Sequence, residues 1–154
     1  MKTVSNGAFY NNDFSGELIL PKHLSAIGDK AFAYNWRLMG ILEFPEGLES
    51  IGAGAFAQCR SIEGLVFPES METIRYEASY NDEGGAFANC YGINSIVCKG
   101  TLPPYVQNGA FNGVARITSL SKFLNLPFPS IRQHQAGKTS SESQLIMSSF
   151  AAHL

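Results

Sequence analysis

Apolar residues recur along this chain at a period of mostly 23–24 residues. The clearest marker is an Ala-Phe pair, whose phenylalanines are spaced by 23, 24, 31 and 24 residues. An aliphatic residue follows nine positions after each of the first four phenylalanines, and a hydrophobe-Pro pair comes next in three repeats. Such self-similarity indicates a solenoid, because one unit of this kind cannot bury its apolar side without stacked neighbours. The marker residues are Phe9, Phe32, Phe56, Phe87 and Phe111.

Each unit is predicted to contain a strand, a second apolar patch and a tight turn. Residues 65–67 alternate inward and outward as a short strand does, and Pro68 ends the strand because it lacks a backbone N–H. Residues 71–74 are a candidate second strand, and residues 54–57 (Gly-Ala-Phe-Ala) predict a helical turn. The expected fold class is therefore α/β: a leucine-rich-repeat solenoid of about five repeats, with short parallel strands on one face and short helical turns on the other.

The third residue after each of the first four phenylalanines is asparagine or cysteine, namely Asn12, Asn35, Cys59 and Cys90. Leucine-rich repeats place these residues where a side chain satisfies turn backbone inside the stack. We therefore expect Cys59 and Cys90 to be buried, reduced and not bonded to each other. The alternative is a reactive thiol, which would need an exposed and electropositive setting.

The repeated residues resemble those of a known protein family. The pattern Leu-x-Phe-Pro-x-x-Met-x-x-Ile at 65–74 and the pattern Gly-Ala-Phe-Ala-x-Cys at 54–59 and 85–90 resemble the BspA-like leucine-rich repeats. The resemblance covers roughly residues 3–121, and its specificity comes from spacing and residue type recurring together. It implies a cell-surface or secreted bacterial protein that binds host proteins, matrix proteins or other cells.

Departures from the pattern suggest the domain limits. The first unit is incomplete, the third carries an insertion at about 75–83, and the repeat fades after Phe111. We therefore predict a solenoid domain at 1–121 and an irregular tail at 122–154 that adds little to stability. The insertion is either a loop on the binding face or a tolerated surface excursion, since long loops add little closure entropy.

The outward strand position is the first candidate binding surface. By the alternation it holds Ile19, Val66 and Val97, with Glu43 or Leu42 in the second unit, where one extra residue leaves the register open. A row of this kind is either an apolar stripe for a partner or a plain consequence of strand propensity.

The insertion is the second candidate, because aromatic side chains are common interface anchors. Its candidate residues are Tyr76, Tyr80 and Asp82, and we expect them to bind together with the outward strand row. Their spacing is not that of an EF-hand loop, so no metal site is expected.

Charge and chemistry narrow the function. The net charge of −2 and the absence of a basic patch argue against nucleic acid, and no apolar run is long enough to span a membrane. The three histidines, His23, His134 and His153, lack partners at the spacing of a catalytic triad or metal site. We therefore expect no enzyme activity and no cofactor. The leading hypothesis is a protein- or glycan-binding adhesion module. Its rival is a structural spacer whose ligand site lies in other sequence.

Overall fold

The structure, a computed structural model, describes residues 2–79 and 83–114, and the backbone of 119–123. Within these residues the strands form two parallel five-stranded sheets, and each turn of the chain adds one strand to each sheet. This winding confirms a repeat solenoid. The short-strand sheet contains Thr3–Val4 (β1), Ala26–Ile27 (β3), Ser50–Ile51 (β5), Thr73–Ile74 (β7) and Tyr105–Val106 (β9), and the long-strand sheet contains Ser15–Gly16 (β2), Arg37–Glu43 (β4), Ser61–Phe67 (β6), Ser95–Cys98 (β8) and Ser119–Phe123 (β10).

The predicted second strand is confirmed as β7, which pairs with β5 on one side and β9 on the other. The long strands end near their prolines as expected: β6 stops at Phe67, directly before Pro68. The Pro68 carbonyl then accepts a hydrogen bond from the Met71 N–H at 3.2 Å, which turns the chain from one sheet towards the other. The predicted tail lies beyond the described residues, except for the end of β10.

The register of the long-strand sheet decides which side chains enter the core. Leu42 lies beside Leu65, and Leu65 lies beside Ile96. All three are buried, with at most 3% of the residue surface exposed. The second unit thus places Leu42 inward and Glu43 outward, which resolves the alternative left open by the sequence.

A β-bulge interrupts this register. Gly40 pairs with Ile62, but the next residue, Ile41, pairs with Gly64, so Glu63 is one extra residue in β6. Bulges redirect side chains on the strands that flank them. The space outside Gly64 is filled by its neighbours, since an added Cβ there would lie 2.5 Å from Ser95 Oγ and 3.5 Å from the Ile41 side chain.

The third side of each unit consists of the turns that carry the phenylalanines. We call residues 5–12, 28–36, 52–60, 84–91 and 107–114 the turn side. The predicted helical turns are not found: the described residues contain no helix. In the third unit Gly54 and Gln58 have φ angles of 64° and 66°, which a right-handed helix excludes.

Hydrogen bonds between units explain this conformation. The Phe56 N–H donates to the Ala86 carbonyl of the next unit at 2.7 Å, whereas the Ala57 N–H donates within its own unit to Gly54 at 3.0 Å. Alternate N–H groups therefore point along the stack and cannot make the i to i−4 bonds of a helix. Left-handed residues other than glycine, such as Lys30 and Tyr34, each cost roughly 1–2 kcal/mol, and pairing with the neighbouring unit offsets this cost.

The marker phenylalanines form one stacked column through the core, as predicted. Successive ring centroids lie 5.1, 5.2, 5.5 and 5.1 Å apart from the first unit to the fifth. Phe44 and Phe67 form a second column, with centroids 5.3 Å apart, and their edges face the first. The four rings from Phe32 onward are buried, while Phe9 at the first unit is partly exposed.

The asparagine and cysteine position acts as expected in the second to fourth units, whereas Asn12 in the first unit is exposed. The Cys59 thiol donates to the Phe32 carbonyl at 3.2 Å, and the Cys90 thiol donates to the Phe56 carbonyl at 3.0 Å. Asn35 Nδ2 donates to the Phe9 carbonyl of the preceding unit in the same way, at 2.8 Å. These side chains satisfy turn carbonyls inside the stack. No disulfide links any of the three cysteines of the chain, all of which are described and buried.

Candidate binding surfaces

The outward row predicted from the alternation exists on the long-strand face, which we define as the outer surface of β2, β4, β6 and β8. Glu43 lies beside Val66, and Val66 lies beside Val97. Glu43 is exposed, whereas the two valines are half-buried between their neighbours. Ile19 follows β2 and has 90% of its surface exposed.

Sequence reasoning missed two apolar side chains of the same face. Ile41 is 62% exposed and Met39 is 50% exposed. Ile41 stands nine residues after Phe32, the position that holds the inward Leu65 in the next unit. It faces outward because the sheet pairs Leu42, not Ile41, with Leu65. Only strand register could have revealed this.

Ile19 and Ile41 line one shallow groove of about 440 Å³ on this face. The rim of the groove carries both signs of charge. Lys99 Nζ donates to Glu43 Oε1 at 2.8 Å and lies 3.5 Å from Glu46 Oε1. The hydrogen bond to Glu43 raises the pKa of Lys99. Because β6 lies between β4 and β8, this ion pair reaches across the strand that carries Val66.

The insertion adjoins the turn side through its described residues, 75–79 and 83. It leaves after β7 and returns to the turn side, and a short antiparallel contact between Tyr76 and Gly85 closes its base. The Tyr76 N–H donates to Gln107 Oε1 at 2.7 Å, and its ring lies against Gly109, so Tyr76 is partly buried on the fifth unit. Tyr80 and Asp82 lie outside the described residues.

The far end of the insertion contacts the turn side through Glu83. Tyr34 Oη donates to Glu83 Oε1, and this hydrogen bond is the main reason that the pKa of Tyr34 is raised to about 12. Gln58 Nε2 donates to the same oxygen at 3.2 Å. The amide oxygen of Gln58 in turn accepts from Arg60 Nε and Nη2, at 3.0 and 2.9 Å. One carboxylate therefore ties the loop to two successive units.

Aromatic side chains on this side are half exposed. Trp36 and Tyr91 have 52% and 51% of their surface exposed, and both stand four residues after a marker phenylalanine. Arg60 holds the same position in the unit between them, and its guanidinium lies 5.7 Å from the Tyr91 ring centroid. Considering the outward positions of the turns, and not only those of the strands, would have found them.

The buried thiols are poorly suited to act as nucleophiles. Burial raises the pKa of Cys59 and of Cys98 from 9.0 to about 12, and it raises the pKa of Cys90 well above its ordinary value. A thiolate is the reactive form of cysteine, and burial disfavours it. Among the described residues no three His, Cys, Asp or Glu side chains cluster as a metal site would require. The same part of the chain holds no helix long and apolar enough to cross a membrane.

Three features together define a leucine-rich-repeat solenoid: parallel strands in register, a buried phenylalanine column and a buried asparagine or cysteine after the phenylalanines of the second to fourth units. Comparison with known families identifies which type of leucine-rich repeat the chain contains. The family model described as "BspA type Leucine rich repeat region" matches residues 1–85 in six copies. The chain therefore belongs to the BspA-type leucine-rich-repeat family.

A solved structure agrees with this assignment. The crystal structure of a T. pallidum leucine-rich repeat protein is 28% identical to this chain and superposes with a TM-score of 0.61. The match covers 75% of this chain and 49% of the other, so the chain spans about half of that protein's length. A search of curated proteins found no match.

Proposed function

We propose that this chain is a non-catalytic binding module of a surface or secreted bacterial protein, and that it holds a protein ligand against the long-strand face. BspA-type repeats are typical of such proteins, which supports the compartment and the adhesive role. The observation that carries the proposal is the exposed aliphatic patch formed by Ile19, Met39 and Ile41.

The patch is favourable for binding because its side chains are exposed on a regular sheet. Burying an exposed aliphatic side chain of this size contributes roughly 1.5–3 kcal/mol. Ile19 and Ile41 line the same groove, and Met39 lies two residues before Ile41 on the same strand. Aliphatic groups match the apolar side chains of a protein better than the hydroxyl groups of a glycan.

Charged groups surround this patch. Lys99, Glu43 and Glu46 lie on the same groove as the two isoleucines. An apolar centre with a polar rim is the usual arrangement of a protein interface, in which the rim favours the correct partner and orientation. The half-buried Val66 and Val97 extend the surface to the third and fourth units.

Tyr80 and Asp82 remain candidates for a separate contact. Because the insertion returns to the turn side, we assign these residues to a second region of the ligand or to a second ligand. Interfaces draw most of their energy from a few anchors, so Tyr80→Ala tests whether the loop takes part.

The experiment compares charge substitutions on two faces. The immobilised full chain is titrated with extracellular-matrix proteins, the ligand class that the family resemblance implies. We expect Ile41→Lys and Val66→Lys each to weaken binding by about tenfold to a hundredfold, because a hot-spot residue contributes roughly 2 kcal/mol or more. Thr73→Lys, on the half-buried outer position of β7, is the matched control and should leave the affinity unchanged.

Melting curves of each variant separate lost binding from lost folding. Unchanged affinity in both long-strand variants would move the site off this face. If no partner binds the wild-type chain, the spacer hypothesis is favoured, since a spacer has no ligand of its own.

A further inference from the structure

A second surface lies on the turn side and is independent of the aliphatic patch on the long-strand face. Its side chains belong to the first four units and follow the marker phenylalanines closely. In the second to fourth units they stand two or four residues after the phenylalanine, and in the first unit the contributing residue stands directly after it. We call this surface the turn-side strip, formed by Tyr10, Tyr34, Trp36, Gln58, Arg60 and Tyr91.

A series of contacts holds five of the six side chains of the strip in place, from Tyr10 to Tyr91. The Tyr10 and Tyr34 rings lie 5.3 Å apart, and Tyr34 donates to Glu83. Gln58 is only 8% exposed and connects Glu83 to Arg60.

The series continues into the fourth unit. Arg60 lies over the Tyr91 ring, and Tyr91 Oη donates to Asn89 Oδ1 at 3.1 Å. Side chains fixed by such contacts lose little conformational entropy when a ligand binds.

The chemistry of the strip combines aromatic faces with planar polar groups. Tyr10, Trp36 and Tyr91 are 46%, 52% and 51% exposed, so each has surface available for stacking. The amide of Asn89 and the guanidinium of Arg60 supply hydrogen-bond donors beside these rings. Glu83, which accepts hydrogen bonds from Tyr34 and Gln58, carries the charge opposite to that of Arg60, so the strip and this carboxylate together offer no net charge to a polyanion or a polycation.

We propose that the turn-side strip binds an uncharged glycan chain. A sugar presents C–H groups on the faces of its ring and hydroxyl groups at its edge, which match aromatic faces and the flanking amide and guanidinium groups respectively. Trp36 and Tyr91 occupy equivalent positions two units apart, with Arg60 in the unit between them. An extended glycan lying across the units therefore meets an aromatic ring, a polar group and a second aromatic ring in turn.

The chain carries its own reporter for this test. Trp36 is the only tryptophan of the sequence, so its fluorescence reports on the strip alone. The full chain is titrated with hexasaccharides of β-1,4-linked glucose and of β-1,4-linked N-acetylglucosamine. We expect a saturable change in emission with at least one of them. Tyr91→Ala should weaken binding by roughly fivefold to tenfold, because one stacking contact is lost.

Two control variants test whether sugar binding depends on the aromatic rings of the strip. Tyr91→Phe keeps the ring and should retain most of the affinity. Val66→Lys changes only the long-strand face and should bind the sugars as the wild type does, whether or not that face binds a protein. Calorimetry repeats the titration without relying on Trp36.

Three results would overturn the proposal. The first is no saturable response to either hexasaccharide at millimolar concentration. The second is equal affinity of Tyr91→Ala and wild type. The third is binding to a sulfated polysaccharide only, abolished by added salt, which would show that Arg60 acts as a simple charge.

Discussion

The phenylalanine column inside the solenoid and the outward row of the long-strand face come from the same repeat but follow different rules. The column holds one residue type in all five units, whereas the row reads Glu43, Val66 and Val97 in successive strands. Interiors are close-packed, and each unit must present the same shape to both neighbours. Outward side chains carry no such requirement, so the sequence there is free to vary.

The strongest test of this contrast removes one side chain from each region. We expect Phe56→Ala to lower the free energy of unfolding by about 3–5 kcal/mol, since truncating a close-packed ring leaves a cavity. Phe56 is fully buried, with the Phe32 and Phe87 rings 5.2 and 5.5 Å away. Val66→Ala in the outward row should cost under about 1 kcal/mol. Urea unfolding measures both, and equal losses would erase the distinction.

Alkaline pH tests the interior in a second way. The thiol of Cys59 stays protonated in the folded protein up to a pKa of about 12, whereas in the unfolded chain it ionises near 9.0. The unfolded state therefore releases its proton first, and stability falls as pH rises through this window. One such thiol lowers the free energy of unfolding by about 1.4 kcal/mol per pH unit, or about 2 kcal/mol at about pH 10.5.

The measurement is urea unfolding near neutral pH and at about pH 10.5. Cys59→Ala removes one ionising group, so its stability should decline less steeply with pH than that of the wild type. Val66→Ala, which changes the outward row, should decline in parallel with the wild type. A Cys59→Ala profile parallel to the wild type would mean that this thiol is already able to ionise in the folded state.

The smallest expected effect concerns the turn backbone that supports the column. Gly7 has a φ of 62°, and an added Cβ there meets no atom within 4 Å, so Gly7→Ala changes the backbone preference alone. We expect it to lower the free energy of unfolding by about 1 kcal/mol, because L-residues disfavour this region. A helical turn would give the opposite sign, with alanine more stable than glycine by about 1 kcal/mol.

Gly54→Ala provides the comparison within the stack. Its φ is 64°, and an added Cβ would lie 2.9 Å from the Glu83 carbonyl oxygen. Gly54→Ala should therefore lower the free energy of unfolding by more than Gly7→Ala does, as measured by thermal and urea unfolding. A gain in stability at either position would restore the helical interpretation of the turns.

The sequence alone predicted the features that each unit must repeat. The Ala-Phe marker predicted the buried column, and the third position after it predicted the thiol hydrogen bonds of Cys59 and Cys90. The alternation around Val66 predicted its outward position in β6. These features were readable because a stack of units needs the same side chain at the same place, which appears in the sequence as spacing.

Tertiary structure decided everything that depends on how one unit pairs with the next. Ile41 faces outward because Leu42 takes the place beside Leu65, and no spacing within one unit reveals that register. The turns are not helical because alternate N–H groups donate to the neighbouring unit. Glu83 joins the insertion to Tyr34 and Gln58 of earlier units on the turn side, a contact that the spacing does not predict. The spacing of residues shows only what recurs in each unit. Several strand registers, backbone conformations and loop positions are compatible with that spacing, and hydrogen bonds between units determine which of them forms.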